Sequence, residues 1–80
     1  MKEVSIRLST VKQVQHFVGT LSSLPGDFEL ISGQNVLDAR SLMGIFGFDL
    51  SRPLRLKIYR DDPGTLQAVA PYLSEGEALP

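Results

Sequence analysis

The chain has 80 residues, a formal net charge of −1, and 42% hydrophobic against 21% charged residues. A chain of this length encloses one modest core, so a single domain is expected, and the near-neutral balance gives no bulk attraction toward nucleic acid or an anionic membrane. With no cysteine and one histidine, it has no disulfide, no thiolate nucleophile and no zinc site of its own. The start, Met1 to Arg7, interrupts every apolar run with charge, so neither a secretory signal nor a span of about 20 apolar residues is expected, and the expected compartment is the cytoplasm.

Residues 3 to 8 alternate, with Val4, Ile6 and Leu8 on one side and Glu3, Ser5 and Arg7 on the other, the period of a half-buried strand. Thr10 is a suitable N-cap. After it Val11, Val14, Phe17, Val18, Leu21 and Leu24 recur at helical spacing until Ser22-Ser23-Leu24-Pro25-Gly26 stops the helix. Phe28 to Ile31 and Val36 to Ala39 read as short strands, with Ser32-Gly33-Gln34-Asn35 as the hairpin turn between them. A short helical turn, weakened by Gly44 and Gly47, follows Ser41.

Leu54 to Arg60 is the clearest strand pattern, three aliphatic residues alternating with Arg55, Lys57 and Tyr59. Asp61-Asp62-Pro63-Gly64 offers a capping carboxylate and a proline for the first turn of a last helix, whose apolar positions are Leu66, Val69, Ala70 and Leu73. Pro71 is expected to bend or end that helix, and the tail from Ser74 to Pro80 to fray. The order is βαββαβα in a single domain spanning residues 1–80. Three amphipathic helices need an apolar surface, and a four-stranded antiparallel sheet with one apolar face supplies it, giving an α+β open-faced sandwich.

Arg40-Ser41-Leu42-Met43-Gly44-Ile45, continuing through Phe46 to Tyr59, resembles the regulatory-serine segment of the HPr family, the small phosphocarriers of the bacterial sugar phosphotransferase system. The likeness extends more loosely over the whole chain and implies three helices on one sheet face with the first and last strands adjacent. It also implies protein partners of that system: an HPr kinase, enzyme I, IIA domains or a transcriptional regulator. The family's phosphorylatable histidine sits in a Gly-x-His-x-Arg-Pro-like run. Here the corresponding stretch is Leu8-Ser9-Thr10-Val11-Lys12-Gln13.

A hydroxyl at a helix start can cap free amides, and a phosphate there meets the same amides and the positive end of the helix dipole. Ser41 is therefore either a simple cap or, as the resemblance implies, a regulatory phosphorylation site with Arg40 and Lys12 as phosphate-pairing charges. Leu42, Met43 and Phe46 are either core or the protein-binding surface implied by the family. The expected arrangement has Ile45 and Phe48 inward, with Met43 and Phe46 at least partly exposed.

His16 is the alternative phosphoryl acceptor. On a helical wheel it falls about 150° from the centre of the apolar stripe, toward solvent and more than a turn past the helix start. Lys12, near the family's arginine position, lacks the bidentate fork, and Gln13 replaces the proline.

Arg7, Arg55 and Lys57, with Tyr59, form an expected basic strip on the open sheet face. A strip of this kind could contact RNA, but with one aromatic and flanking Glu3 and Glu29 a solvated face is the simpler reading, and nucleic acid is not an expected partner. One histidine and scattered acids assemble no catalytic set, so no enzyme activity, cofactor or metal is expected. The leading expectation is a monomeric, non-carrier regulatory or protein-binding module related to the phosphotransferase system. The alternatives are a divergent carrier using His16 and an RNA-binding sheet.

Overall fold

The alternation of Val4 with Ile6, of Phe28 with Leu30, and of Leu54 with Leu56 and Ile58 produces strands with one buried face. In the computed structural model, which describes residues 1–60 and 62–74, the elements are β1 (Lys2–Ile6), α1 (Val11–Ser22), β2 (Phe28–Ser32), β3 (Asn35–Asp38), α2 (Leu42–Ile45), β4 (Leu54–Ile58) and α3 (Pro63–Val69). A 3-10 turn, Ala70–Tyr72, follows α3. The sheet is antiparallel in the order β1-β4-β2-β3, so the first and last strands are neighbours as expected. The architecture is the α+β open-faced sandwich read from the sequence.

Cross-strand register fixes which residues share a face. Val4, Leu56, Leu30 and Leu37 lie in one row on the helical side. Glu3, Lys57, Glu29 and Asp38 form a row on the open side, and Ser5, Arg55, Ile31 and Val36 form the next. From α1, Val14, Phe17 and Leu21 are fully buried against the sheet, each worth about 1.5–3 kcal/mol of apolar transfer. Tyr72 meets Phe17 edge-on with ring centroids 5.2 Å apart.

The structure differs from the expected pattern at several positions. Val11, assigned to the apolar stripe, is exposed. Helical side chains lean toward the N-terminus, and a residue in the first turn projects past the packed surface. Thr65, not assigned to the core, is buried, while Leu66 is half-buried. The helix ends at Val69, two residues before Pro71, and tightens into the 3-10 turn.

Ser74, assigned to a fraying tail, is held: its N–H donates to the Ser5 carbonyl at 2.9 Å and its hydroxyl lies 2.9 Å from that of Ser5. The rest of that tail, residues 75–80, and the capping position at 61 lie outside the described residues. Asp62 is the cap of α3, its carboxylate accepting from Thr65 N–H at 2.8 Å. Among the described residues no helix is long and apolar enough to cross a membrane.

Candidate functional site

The turn between β3 and β4 carries most of the expected site residues. Asp38 starts it: the Asp38 carboxylate accepts from Arg40 N–H at 2.8 Å and its carbonyl accepts from Ser41 N–H at 2.9 Å. These bonds turn the chain out of the sheet and into α2, a single turn of four residues. Ile45 is fully buried and Phe48 half-buried, whereas Met43 is 80% and Phe46 39% exposed. Leu42, assigned with them to a binding surface, is half-buried and packs against the core. Four residues make one turn, so Ile45 inward requires Met43 outward.

Ser41 precedes α2 at φ −87°, ψ 88°, and its side chain makes no capping hydrogen bond. The expected cap is corrected on that point; the turn is held through the backbone, with Ile45 N–H donating to the Ser41 carbonyl at 3.0 Å. The Ser41 hydroxyl lies over Gly44, 2.9 Å from where a Cβ would stand, with Leu37 Cδ2 at 3.0 Å. Gly44, read in the sequence as a weakness of the helix, is what lets Ser41 and Leu37 approach. The Ser41 side chain remains exposed.

Arg40, expected to pair a phosphate on Ser41, instead points away from it. Its Nε donates to the Leu21 carbonyl at 3.0 Å, and its NH2 group donates to the Leu24 and Gly26 carbonyls at 2.9 Å each. Its guanidinium carbon stands 4.9 Å from the centroid of the Phe28 ring. The last carbonyls of a helix lack intrahelical partners, and a forked, always-charged donor satisfies several at once. Arg40 is thus committed to the end of α1. Lys12 is exposed on α1, the helix that packs against α2, and is the remaining expected phosphate-pairing charge.

At the start of α1, Thr10 accepts from Gln13 N–H at 3.0 Å, and the Gln13 side chain accepts from Ser9 N–H at 2.6 Å. The two bonds cap the helix start and engage the Gln13 and Ser9 amides there. His16 is exposed on the second turn. Among the described residues no group of His, Asp and Glu side chains is placed to hold a metal ion.

The expected basic strip is also corrected. Arg55 forms an ion pair with Glu3, and that guanidinium holds the Glu3 carboxyl below its ordinary range. Lys57 lies in register between Glu3 and Glu29, and Arg7 donates to the Ser51 carbonyl at 3.3 Å. At the far end of the same face the balance is reversed. A cavity of about 360 Å³ is lined by Asp27, Phe28, Glu29, Asp38 and Tyr59. Tyr59 donates its hydroxyl hydrogen to the Glu29 carboxylate; that bond, with burial and the nearby Asp27 charge, raises the phenol pKa above its usual value.

Sequence reading named Glu29 and Tyr59 only as neighbours of a basic strip and missed Asp27 and Asp38. Counting the two-residue turn at Gly33-Gln34 would have set Glu29 opposite Asp38 and exposed the cluster. Compared with protein-family models, curated proteins and solved structures, the chain gave no match.

Proposed function

We propose that this protein is a regulatory, protein-binding module of the HPr type that does not carry phosphate on histidine. It acts in the cytoplasm through Met43 and Phe46 with Ser41 as the switch beside them. The observation that carries the reading is the exposure of a large thioether and an aromatic ring on one short turn next to an exposed serine. Such side chains, presented on a turn anchored by buried Ile45, suit docking on a partner's apolar surface. The resemblance of residues 36–59 to the HPr family supplies the kind of partner: enzyme I, a IIA domain, a transcriptional regulator or an HPr kinase.

Phosphate on Ser41 adds about two negative charges at the edge of that patch and weakens an apolar docking contact by desolvation cost. Arg40 is not its pairing cation, because pairing would break three carbonyl bonds, which leaves Lys12 as the expected one. The non-carrier part rests on His16 lying beyond the helix start, with the Gln13 amide in that first turn already bonded to Thr10.

Intact-mass analysis tests the reading in two arms. An HPr kinase with ATP is expected to add one phosphate, mapped to Ser41 and lost in Ser41→Ala. Enzyme I with phosphoenolpyruvate is expected to leave the mass unchanged. An acid-labile phosphate that disappears in His16→Ala overturns the non-carrier reading, and an unmodified Ser41 overturns the switch.

A further inference from the structure

The two edges of the sheet are finished differently. Along β1, Arg7 N–H donates to the Tyr72 carbonyl at 2.8 Å, Ser74 N–H donates to the Ser5 carbonyl at 2.9 Å, and Leu73 bridges Ile6, so the chain covers its own edge. Along β3, among the described residues, no strand pairs with the outer side. The bond from Ala39 N–H to the Phe28 carbonyl fixes the phase of the β2–β3 ladder. Phe28 with Ala39, Leu30 with Leu37 and Ser32 with Asn35 are the hydrogen-bonded pairs, so Val36 and Asp38 turn their backbone groups outward. The Asp38 carbonyl is taken by Ser41. The N–H and C=O of Val36 and the N–H of Asp38 face outward for an added strand.

The open face beside that edge is chemically polarised. Val36 is 55% exposed and stands opposite half-buried Ile31. Two residues further along β3, Asp38 stands opposite Glu29 at the rim of the cavity that Asp27 and Tyr59 complete. Of the cations near this end, Lys57 is the cross-strand neighbour of Glu29 on its β4 side, away from the β3 edge, the Arg40 guanidinium is bound inside the α1 corner, and Arg60 is 3.8 Å from Asp62. The Asp27 carboxylate has no hydrogen-bond partner among the described residues, while its carbonyl accepts from Tyr59 N–H at 3.1 Å.

We propose that the β3 edge takes up an extended basic segment of a partner protein, with a Lys or Arg in the Asp27/Glu29/Asp38/Tyr59 cavity and an apolar residue two positions away against Val36. Strand addition supplies the backbone bonds, and the period of two supplies the register between the two side chains. Three carboxylates beside an aromatic ring complement an alkylammonium or guanidinium. The same charges oppose a second copy of this chain, which would carry its own acidic cluster to this edge, and they oppose nucleic acid. This surface lies on the open face, across the sheet from α2, and stands independently of the docking reading for Met43 and Phe46.

The test is an amide-resolved NMR titration with the blocked peptide Arg-Thr-Val-Thr-Arg, whose symmetry serves either strand direction, and with Glu-Thr-Val-Thr-Glu as control. The basic peptide is expected to shift the amides of Val36, Asp38, Glu29 and Tyr59 and to bind at least tenfold more tightly than the acidic one. Asp27→Asn, which alters a carboxylate outside the hydrogen-bond network, is expected to weaken binding severalfold with an otherwise unchanged spectrum. Val36→Pro, which removes an outward N–H, is expected to abolish binding. Equal response to both peptides, shifts confined to Met43 and Phe46, no response at all, or self-association through β3 without peptide would each overturn the proposal.

Discussion

Arg40 and Met43 stand less than one helical turn apart, yet the fold uses them in opposite ways. Arg40 reaches back to the end of α1, where three carbonyls and the Phe28 ring hold its guanidinium. Met43 reaches outward with four-fifths of its surface exposed. By residue type the expectation is reversed, since arginine is the common surface residue and methionine the common core filler. The difference separates two jobs within one short segment. A charged residue closes the corner between α1 and β2, and an apolar one is left exposed.

Arg40→Ala is the substitution expected to do most damage, because it strips charged donors from carbonyls at a partly buried helix end. A loss of about 3 kcal/mol is expected from denaturant unfolding, with Arg40→Lys restoring only part of it. A loss below about 0.5 kcal/mol would place Arg40 among ordinary surface residues and erase the contrast with Met43. Gly26→Ala, on the same corner, comes next. Gly26 has φ +89°, and an added Cβ would stand 2.6 Å from Arg60 Cβ, so about 2 kcal/mol is expected in the same measurement.

Asp62 and Ser41 sharpen the comparison at two helix starts, one capped by its side chain and one not. The Thr65 N–H lowers the Asp62 pKa, so the folded state binds that proton less readily than the unfolded state. Its contribution is present above the ordinary carboxylate value and is lost as pH falls through the lower folded value. Asp62→Asn, which keeps an acceptor at the cap, is expected to flatten the acid limb of a stability profile measured by urea unfolding. Ser41→Ala is expected to have the smallest effect, within about 0.5 kcal/mol at neutral pH, because no side-chain bond is lost.

The sequence carried the fold well because both of its periods are strong. Leu54, Leu56 and Ile58 alternate, Val14, Phe17 and Leu21 recur at helical spacing, and all six are buried. The split between inward Ile45 and outward Met43 was also legible, since a single turn cannot bury both. Long-range polar contacts were not. Nothing local tells Arg40 that carbonyls of Leu21, Leu24 and Gly26, 14 to 19 residues earlier, will be within reach, and a resemblance to a phosphate-bearing segment pulled its reading toward Ser41. The acidic cavity was missed because Asp27 and Glu29 at the start of β2, Asp38 on β3 and Tyr59 just after β4 are far apart in sequence and meet only through strand pairing.

The central claim is that α2 presents a docking surface on a fold that does not need those side chains. It is tested most directly by calorimetric titration of enzyme I, and of a IIA domain, into the wild-type protein and into Met43→Ser/Phe46→Ser. The double variant is expected to unfold as cooperatively as wild type, since exposed positions tolerate substitution within about 0.5 kcal/mol each. Its affinity for the partner that wild type binds is expected to fall at least tenfold, a loss of about 1.4 kcal/mol or more. Unchanged affinity in a folded double variant, or collapse of its unfolding transition as for a truncated core phenylalanine at about 3–5 kcal/mol, would contradict the claim.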